Sequence, residues 1–337
     1  MKLLSIIIPL YNRSNQFKTL LESIINSNLN ISDYEIIVSD DSDNEKEISN
    51  ILDIVDECRY RRIVDIKYVK NKYNRVGPSA NRQNGLDNAT GKWVLFVDDD
   101  DCITEFDQEL LDTLNSDDIS CIVTGYVIYD ENNSIIRYTN NDDFLKILTH
   151  GKIYNRIFLT ENNICYDVTA PAHEDIYFNY FVYSATVCYS GYSIKYLTDG
   201  KYNFYTFNHH EDSLSKTPGF YDEYITNNPK WFLNKFDMPI FYCGLYIDKV
   251  SEIFGFIQNE FFDMIIMYIT MDEWGKASDE NVDLYGTYFD KFKKVLCDKL
   301  DEEATSKKSI EVLQENGLIK NFTDLSIYFN TLLYILG

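Results

Sequence analysis

The sequence predicts an α/β fold, a doubly wound and mainly parallel sheet followed by a helical C-terminal extension. Three observations predict it. Over the first hundred residues, apolar β-branched runs alternate with segments of helical apolar spacing. The strand-like runs end in polar clusters. From about residue 222 onward the apolar spacing is helical.

The elements follow in order. "LLSIIIPL" (3–10) is a continuous apolar run, the pattern of a strand buried on both faces. Residues 15–27 place Phe17, Leu20, Leu21, Ile24 and Ile25 on one helical face. "YEIIVSD" (34–40) reads as a second strand, 45–58 as a helix facing inward through Ile48, Ile51, Leu52 and Val55, and "DIKYVKN" (65–71) as a third strand. "GPSANRQNGLDNAT" (77–90) reads as a loop entering a short helix, and "KWVLFVDDDD" (92–101) as a fourth strand. This alternation implies parallel strands joined by right-handed crossovers.

Beyond residue 101 the pattern changes. Residues 104–114 are helical in spacing, and 118–139 reads as a hairpin turning at "DENN". Residues 151–215 mix short strands with loops. An apolar stripe runs through Val250, Ile253, Phe254, Ile257, Phe261, Met264, Ile265 and Tyr268, and further helices are expected at 285–300, 308–317 and 322–335. The expected division is 1–221 for the α/β domain and 222–337 for the helical region.

Composition narrows the function. A net charge of −23 argues against a nucleic-acid binder, which needs clustered Lys and Arg at phosphates. The seven cysteines are scattered, with no C-x-x-C pair, so neither a zinc site nor a disulfide framework is expected, and a reducing cytoplasm fits. The N-terminal "MKLLSIIIPLYN" is too short for a signal peptide, and "MIIMYITM" (264–271) is far below the roughly 20 residues that span a bilayer. The expectation is a cytoplasmic protein without a transmembrane segment, with peripheral contact at the inner face of the membrane left open.

In doubly wound sheets, ligands sit beyond the carboxyl ends of the strands. Strand one ends in "PLYNR", strand two in "SDDSD" and strand four in "DDDD". Four adjacent aspartates, Asp98 to Asp101, repel one another, and a divalent cation would remove that repulsion. Carboxylates without Cys or His ligands favour a hard ion such as Mn²⁺ or Mg²⁺. A solvated turn after the strand is the plain alternative. There is no P-loop, no G-x-G-x-x-G and no H-E-x-x-H in the chain.

"SIIIPLYN", "EIIVSDDSD", "GPSANRQNGLDNATGKWVLFVDDDD" and "HEDIYFN", in this order and spacing, resemble the family 2 glycosyltransferases of the GT-A fold. The resemblance covers about residues 3 to 215. It implies an inverting transfer of a sugar from a nucleotide-sugar donor, a UDP-sugar in this reading, with Mn²⁺ or Mg²⁺. The acceptor would be a glycan or lipid-linked glycan in surface polysaccharide synthesis. Pro9 and Tyr11 match the first nucleotide-binding motif, with the Tyr11 ring on the base. Asp41 matches the acceptor of a uracil hydrogen bond, and Arg82 the basic residue that reaches the diphosphate or base, although Asn81-Arg82-Gln83 departs from the usual A-R-N.

In the same resemblance Asp98 and Asp100 form the D-x-D element, with Asp100 on the metal and Asp98 on the ribose or the metal's water. Asp99 is the variable middle position, and Asp101 supports the ligands. In "HEDIYFNYF", Asp175 is the expected general base and Glu174 an acceptor contact, against the alternative that both merely cap a helix start. "NHHEDSLS" (208–215) offers His209 or His210 as a further metal or phosphate contact, and Glu211-Asp212 as a rival to Glu174-Asp175. Two other classes compete. A metal-dependent nucleotidyltransferase would want a glycine-rich loop where "PLYNRSNQ" stands, and a non-catalytic nucleotide- or glycan-binding protein would lack an intact base. The C-terminal helices are expected to pack on the catalytic domain or to pair two copies as a homodimer.

Overall fold

The computed structural model describes residues 2–73, 77–129, 134–139, 148–170, 173–208, 230, 233–249, 252–253, 256–257, 287 and 291. The chain divides into two compact units, Met1–Val182 with Gly191–Pro218, and Tyr183–Ser190 with Gly219–Gly337.

The first unit begins with β1 (Leu4–Leu10), α1 (Ser14–Asn26), β2 (Tyr34–Asp40), α2 (Glu45–Arg61), β3 (Ile66–Lys70), α3 (Pro78–Asp87) and β4 (Trp93–Phe96). It continues with β5 (Cys102–Ile103), α4 (Gln108–Thr113), β6 (Ile119–Thr124), β7 (Tyr126–Tyr129) and β8 (Ile135–Thr139). After these come β9 (Lys152–Asn155), α5 (Arg156–Glu161), α6 (Glu174–Cys188), β10 (Ser193–Leu197) and β11 (Tyr205–Asn208).

A seven-stranded sheet runs in the order β10-β6-β9-β4-β1-β2-β3. All neighbours in it are parallel except β9, which is antiparallel to both β4 and β6. The mainly parallel sheet is therefore as expected. Every residue of β1 and β2 is buried, which is why their centres, Ile6–Ile8 and Ile36–Val38, are apolar on both faces, while the buried polar Ser5 and Glu35 bond each other. Helix α1 buries Phe17, Leu20, Leu21 and Ile24, the predicted face. Helix α3 lies against β1 through Gly85, where an added Cβ would stand 2.2 Å from Ile7 Cγ2. Only glycine permits that approach.

The order of strands creates the site. From β1 the chain winds outward through β2 and β3, then returns to place β4 on the other side of β1. The crevice at such a switch point is where open α/β sheets take ligands.

Three expectations need correction. Strand four ends at Phe96 rather than 101. Val97 still bonds Ile7, but Asp98 to Asp101 close a turn in which the Asp101 amide donates to the Asp98 carbonyl at 3.1 Å. A turn spreads charges that an extended strand would hold inside the sheet. The helix expected at 104–114 occupies only 108–113, because Asp107 caps it by accepting from the Glu109 amide. The hairpin expected at 118–139 is present but confined to 126–139. β6 belongs to the large sheet, whereas β7 pairs antiparallel with β8 in a second, four-stranded sheet of order β5-β11-β7-β8. The break falls at Gly125, between β6 and β7, where the carbonyl packs close to Gly151. The "DENN" turn lies outside the described residues.

In the second unit, α7 (Asp237–Leu245) buries Pro239, Tyr242 and Cys243. Tyr183 stacks on Phe256 at 3.6 Å between ring centroids, and Ile253 and Ile257 are buried. Of the helix expected at 285–300 only Thr287 and Lys291 are described, both helical, and the rest of the predicted apolar stripe and the helices expected at 308–317 and 322–335 lie outside the described residues. No helix among the described residues is long and apolar enough to cross a membrane.

Candidate active site

Three loops meet at the switch point: Tyr11–Arg13 after β1, Asp41–Asn44 after β2, and Asp98–Asp101 after β4. Pro9 is buried within β1, opposite Ser39 of β2 and short of the rim. Tyr11 stands at the rim, 48% exposed, so its ring has a face to offer a base. Two adjacent aspartates end β2 and begin the loop after it. Asp40 is fully buried and accepts from Tyr68 Oη at 2.7 Å, Lys70 Nζ at 3.2 Å and the Ser42 amide at 2.9 Å. Asp41 is half-buried at the rim, its amide donating to the Leu10 carbonyl at 2.9 Å. Of the two, only Asp41 is partly exposed.

Arg82 projects from α3 into the centre of the site and is 3% exposed. Its guanidinium pairs with Asp98 Oδ1 at 2.7 Å, with Glu174 in a short ion pair, and with Asp175 Oδ1 at 3.3 Å. One buried cation thus joins the aspartate turn to the start of α6. Burial alone would raise the Asp98 pKa, but Arg82 and His150 outweigh it and hold the carboxyl well below its usual range. Glu174 goes the other way. Burial, with Asp175 beside it, pushes it up against the pull of Arg82.

Asp175 is held by its other oxygen. Oδ2 accepts, at long range, from the amide and hydroxyl of Thr149, both at 3.4 Å. Oδ1 is buried and makes no hydrogen bond among the described residues, with Arg82 as its ion partner. These partners differ from those of a helix cap, since Glu174 and Asp175 turn toward Arg82. His173, just before α6, takes a left-handed φ of 60°.

The four aspartates part company. Asp99 accepts from the Tyr11 amide at 3.2 Å and pairs with Arg13 at 3.0 Å. Burial, with the Asp100 charge adding to it, pushes Asp99 up to about 7 even though Arg13 opposes the shift. Asp100 pairs with the same Arg13 guanidinium. Asp101 is fully buried, accepting from the Tyr205 hydroxyl and from the Asn208 amide at 2.9 Å. Asn208 Nδ2 also donates to the Asp100 carbonyl at 2.7 Å. The turn is thereby pinned to β11.

His150 was not singled out from sequence. Its Nε2 lies 3.5 Å from Asp98 Oδ2 and 3.9 Å from Asp101 Oδ2. Burial would lower its pKa, but these carboxylates raise it overall. The ring packs among Tyr126, Tyr205 and Phe207, and neither nitrogen makes a hydrogen bond of normal geometry among the described residues. The one available signal was Gly151, whose φ of 66° fixes the turn that sends His150 inward. His209, His210, Glu211 and Asp212 lie outside the described residues.

Two donor sets face a cation here. Among the described residues, Asp98, Asp101 and His150 bring ligand atoms within 4.8 Å of one another. Both Asp101 oxygens, however, are already taken by Tyr205 and Asn208. Asp98 and Asp100 have side chains 29% and 18% exposed, on the side open to a ligand. Carboxylates of this kind, with a buried imidazole lacking a hydrogen bond beside them, suit a small hard cation.

Residues 5–177, just over half of the chain, match the family model "Glycosyl transferase family 2". A GalNAc(5)-diNAcBac-PP-undecaprenol beta-1,3-glucosyltransferase of Campylobacter jejuni is 43% identical over 102 residues, 29% of this chain and 29% of that protein. A poly(ribitol-phosphate) beta-glucosyltransferase of Bacillus spizizenii is 30% identical over 192 residues, 53% of this chain and 29% of that protein. The chain thus spans less than a third of the length of these relatives. Among solved structures, residues 1–349 of TarS from S. aureus, in complex with UDP-GlcNAc, align over 87% of this chain and 92% of that one, with a TM-score of 0.53 and 18% identity. That likeness shows the GT-A fold.

Proposed function

Because the chain belongs to glycosyl transferase family 2, we propose that it is an inverting, metal-dependent glycosyltransferase that moves a sugar from a UDP-sugar to a hydroxyl of a glycan or lipid-linked glycan. The observation that carries the reading is the Arg82 cluster, which joins the aspartates after β4 to Glu174 and Asp175 at the switch point of the sheet. Donor and acceptor chemistry would then meet across one buried cation.

In this reading Tyr11 and Asp41 receive the base, and Asp98 receives the ribose. Asp98 and Asp100 would hold Mn²⁺ or Mg²⁺, in preference to the set containing Asp101, because they are the partly exposed carboxylates of the turn whereas Asp101 is fully buried. When bound, the ion supplies neutralisation of the charge growing on the leaving diphosphate. Asp175 Oδ1 takes the proton of the acceptor hydroxyl as its oxygen bonds to the anomeric carbon and the bond from that carbon to the diphosphate breaks. Glu174 contacts the acceptor and, through Arg82, keeps Asp175 in place. Arg82 itself is spent on three carboxylates, so its reach toward the donor runs through Asp98.

The names of the relatives support a glycan acceptor, since they act on GalNAc(5)-diNAcBac-PP-undecaprenol and on poly(ribitol phosphate). The reading also has the protein working in the cytoplasm, at the inner face of the membrane where a lipid-linked acceptor would be met, with the C-terminal helices available for pairing two copies.

The test is a thermal-shift panel of UDP, UDP-sugars and other nucleotides, each with and without Mn²⁺. A ligand at 100 times its Kd adds roughly 2.7 kcal/mol of stability. UDP or a UDP-sugar should stabilise the protein more with Mn²⁺ than without, and Asp100→Ala should remove the difference. Equal UDP stabilisation of parent and variant would refute the metal role of Asp100. A preference for guanine or cytosine nucleotides would retire the uracil role of Asp41.

A further inference from the structure

Arg13 is the second arginine of the site and has no part in the scheme above. It follows a turn built for it. Asn12 takes a left-handed φ of 53°, a conformation that asparagine tolerates better than most residues. That conformation is held on all sides. The Asn12 amide donates to Ser42 Oγ at 2.7 Å, its Nδ2 donates to Asp43 Oδ1 at 2.6 Å, and its Oδ1 accepts from the amides of Asp43 and Asn44 at 3.2 and 3.1 Å. The chain leaving this turn carries Arg13 over the aspartates. One guanidinium nitrogen, Nη1, bonds Asp99 Oδ1 at 3.0 Å and also pairs closely with Asp100 Oδ2.

The two arginines differ in a way that matters. The Arg82 side chain is 4% exposed and locked among three carboxylates. The Arg13 side chain is 38% exposed, so it can leave Asp100 for water at little cost. Asp99 would retain it at the rim. The guanidinium sits against Oδ2 of Asp100, so a divalent ion that takes this oxygen must compete with it. A positive charge this close also opposes the arrival of another.

We propose that Arg13 is an internal counterion of Asp100, displaced when a divalent cation binds there, and that it weakens metal binding in the donor-free protein. The proposal rests on the reading of Asp100 as a metal ligand. The repulsion among the four aspartates is divided in this way: Arg82 serves Asp98, and Arg13 serves Asp99 and Asp100, leaving the buried Asp101 to the hydrogen bonds from β11.

The experiment is Mn²⁺ binding to the full chain without nucleotide, read from the free-ion signal in electron paramagnetic resonance, with folding checked by circular dichroism. Arg13→Gln should tighten Mn²⁺ binding by about tenfold or more, and Arg13→Ser, equally uncharged, should do the same should the first variant fold poorly. Arg13→Lys keeps the charge and should stay within about threefold of the parent. Asp100→Asn identifies the site by abolishing the effect. Unchanged or weaker Mn²⁺ binding in the uncharged variants, with binding still dependent on Asp100, would overturn the role of Arg13 alone. Absence of any Asp100-dependent binding in all forms would overturn both this proposal and the metal reading it rests on.

Discussion

Arg82 and Glu174 stand 92 residues apart in the chain and meet in a buried ion pair at the centre of the site. The same guanidinium reaches Asp98, only 16 residues further along the chain. Helix α3, the turn after β4 and the start of α6 are therefore fastened at one point. A buried ion cluster adds little stability beyond what a well-packed apolar replacement would give, but removing one member leaves the rest exposed to the full cost of buried charge.

Arg82→Met should accordingly destabilise the fold by about 3–5 kcal/mol, because three buried carboxylates lose their cation. Urea denaturation would show the loss at neutral pH. The deficit should shrink as pH falls toward 5, since Glu174 already sits above its usual value through burial and protonates first. A deficit independent of pH would mean that lost packing, not lost charge, is the cause.

Asp175→Asn should leave the binding of donor intact and lower kcat by about 10²–10⁴-fold, the usual worth of a general base. Donor KM should change little, since the substituted group faces the acceptor. The amide keeps the shape of the side chain, so Thr149 retains an oxygen to bond. Steady-state kinetics of parent, Asp175→Asn and Glu174→Gln decide the assignment. Near-parental turnover in Asp175→Asn with a dead Glu174→Gln would move the base by one residue.

The central strands and the rim were legible because each depended on local pattern. The runs 3–10 and 34–40 are buried on both faces, and their short length and β-branched centres mark them as strands. Asp98 and Arg82 were legible through motif spacing. What escaped was set by partners far away in sequence. β9 is four residues long and enters the sheet antiparallel, a choice fixed by β4 and β6 and not by its own residues. His150 reaches Asp98 because of that placement. Arg13 looked like one more loop arginine, since nothing in "PLYNR" reveals that a left-handed Asn12 aims it at residues 86 and 87 positions away. The hairpin was read eight residues too long, starting at 118 and not at 126, because strand periodicity carries no mark of a change of sheet.

Gly85→Ala should destabilise the protein even though alanine is the better helix former by about 1 kcal/mol. The new methyl would stand 2.2 Å from Ile7 Cγ2, a methyl held on the branched Cβ of a fully buried residue of β1, with little room to swing aside. Overpacking of this kind costs about 1–3 kcal/mol. Pairing it with Ile7→Ala should relieve the clash, so the two substitutions together should cost less than the sum of each alone. Additive losses would show that α3 and β1 simply move apart.

Lys152 carries the last prediction. It is almost wholly buried on β9, where Nζ donates to the Leu148 carbonyl and to Asn179 Oδ1, the latter at 3.0 Å. Tyr154 Oη donates to the same Asn179 oxygen at 2.9 Å, and Asn179 Nδ2 donates to the Asp175 carbonyl at 2.8 Å. Burial pushes the ammonium down to about 7, with the Asp175 charge offsetting only part of the shift. In the unfolded chain an ordinary lysine holds its proton to about pH 10.4. Between these values the unfolded state binds more protons than the folded one, so stability rises with pH across the window and is lost as pH falls toward 7. The rise attributable to Lys152 should be on the order of 2–4 kcal/mol between pH 7 and 10. Lys152→Met should abolish it, so urea denaturation at pH 7 and pH 9.5 should find the parent gaining on the variant at the higher pH. A gap that stays constant would mean that Lys152 keeps its proton inside the fold, with Leu148 and Asn179 holding it as a full cation.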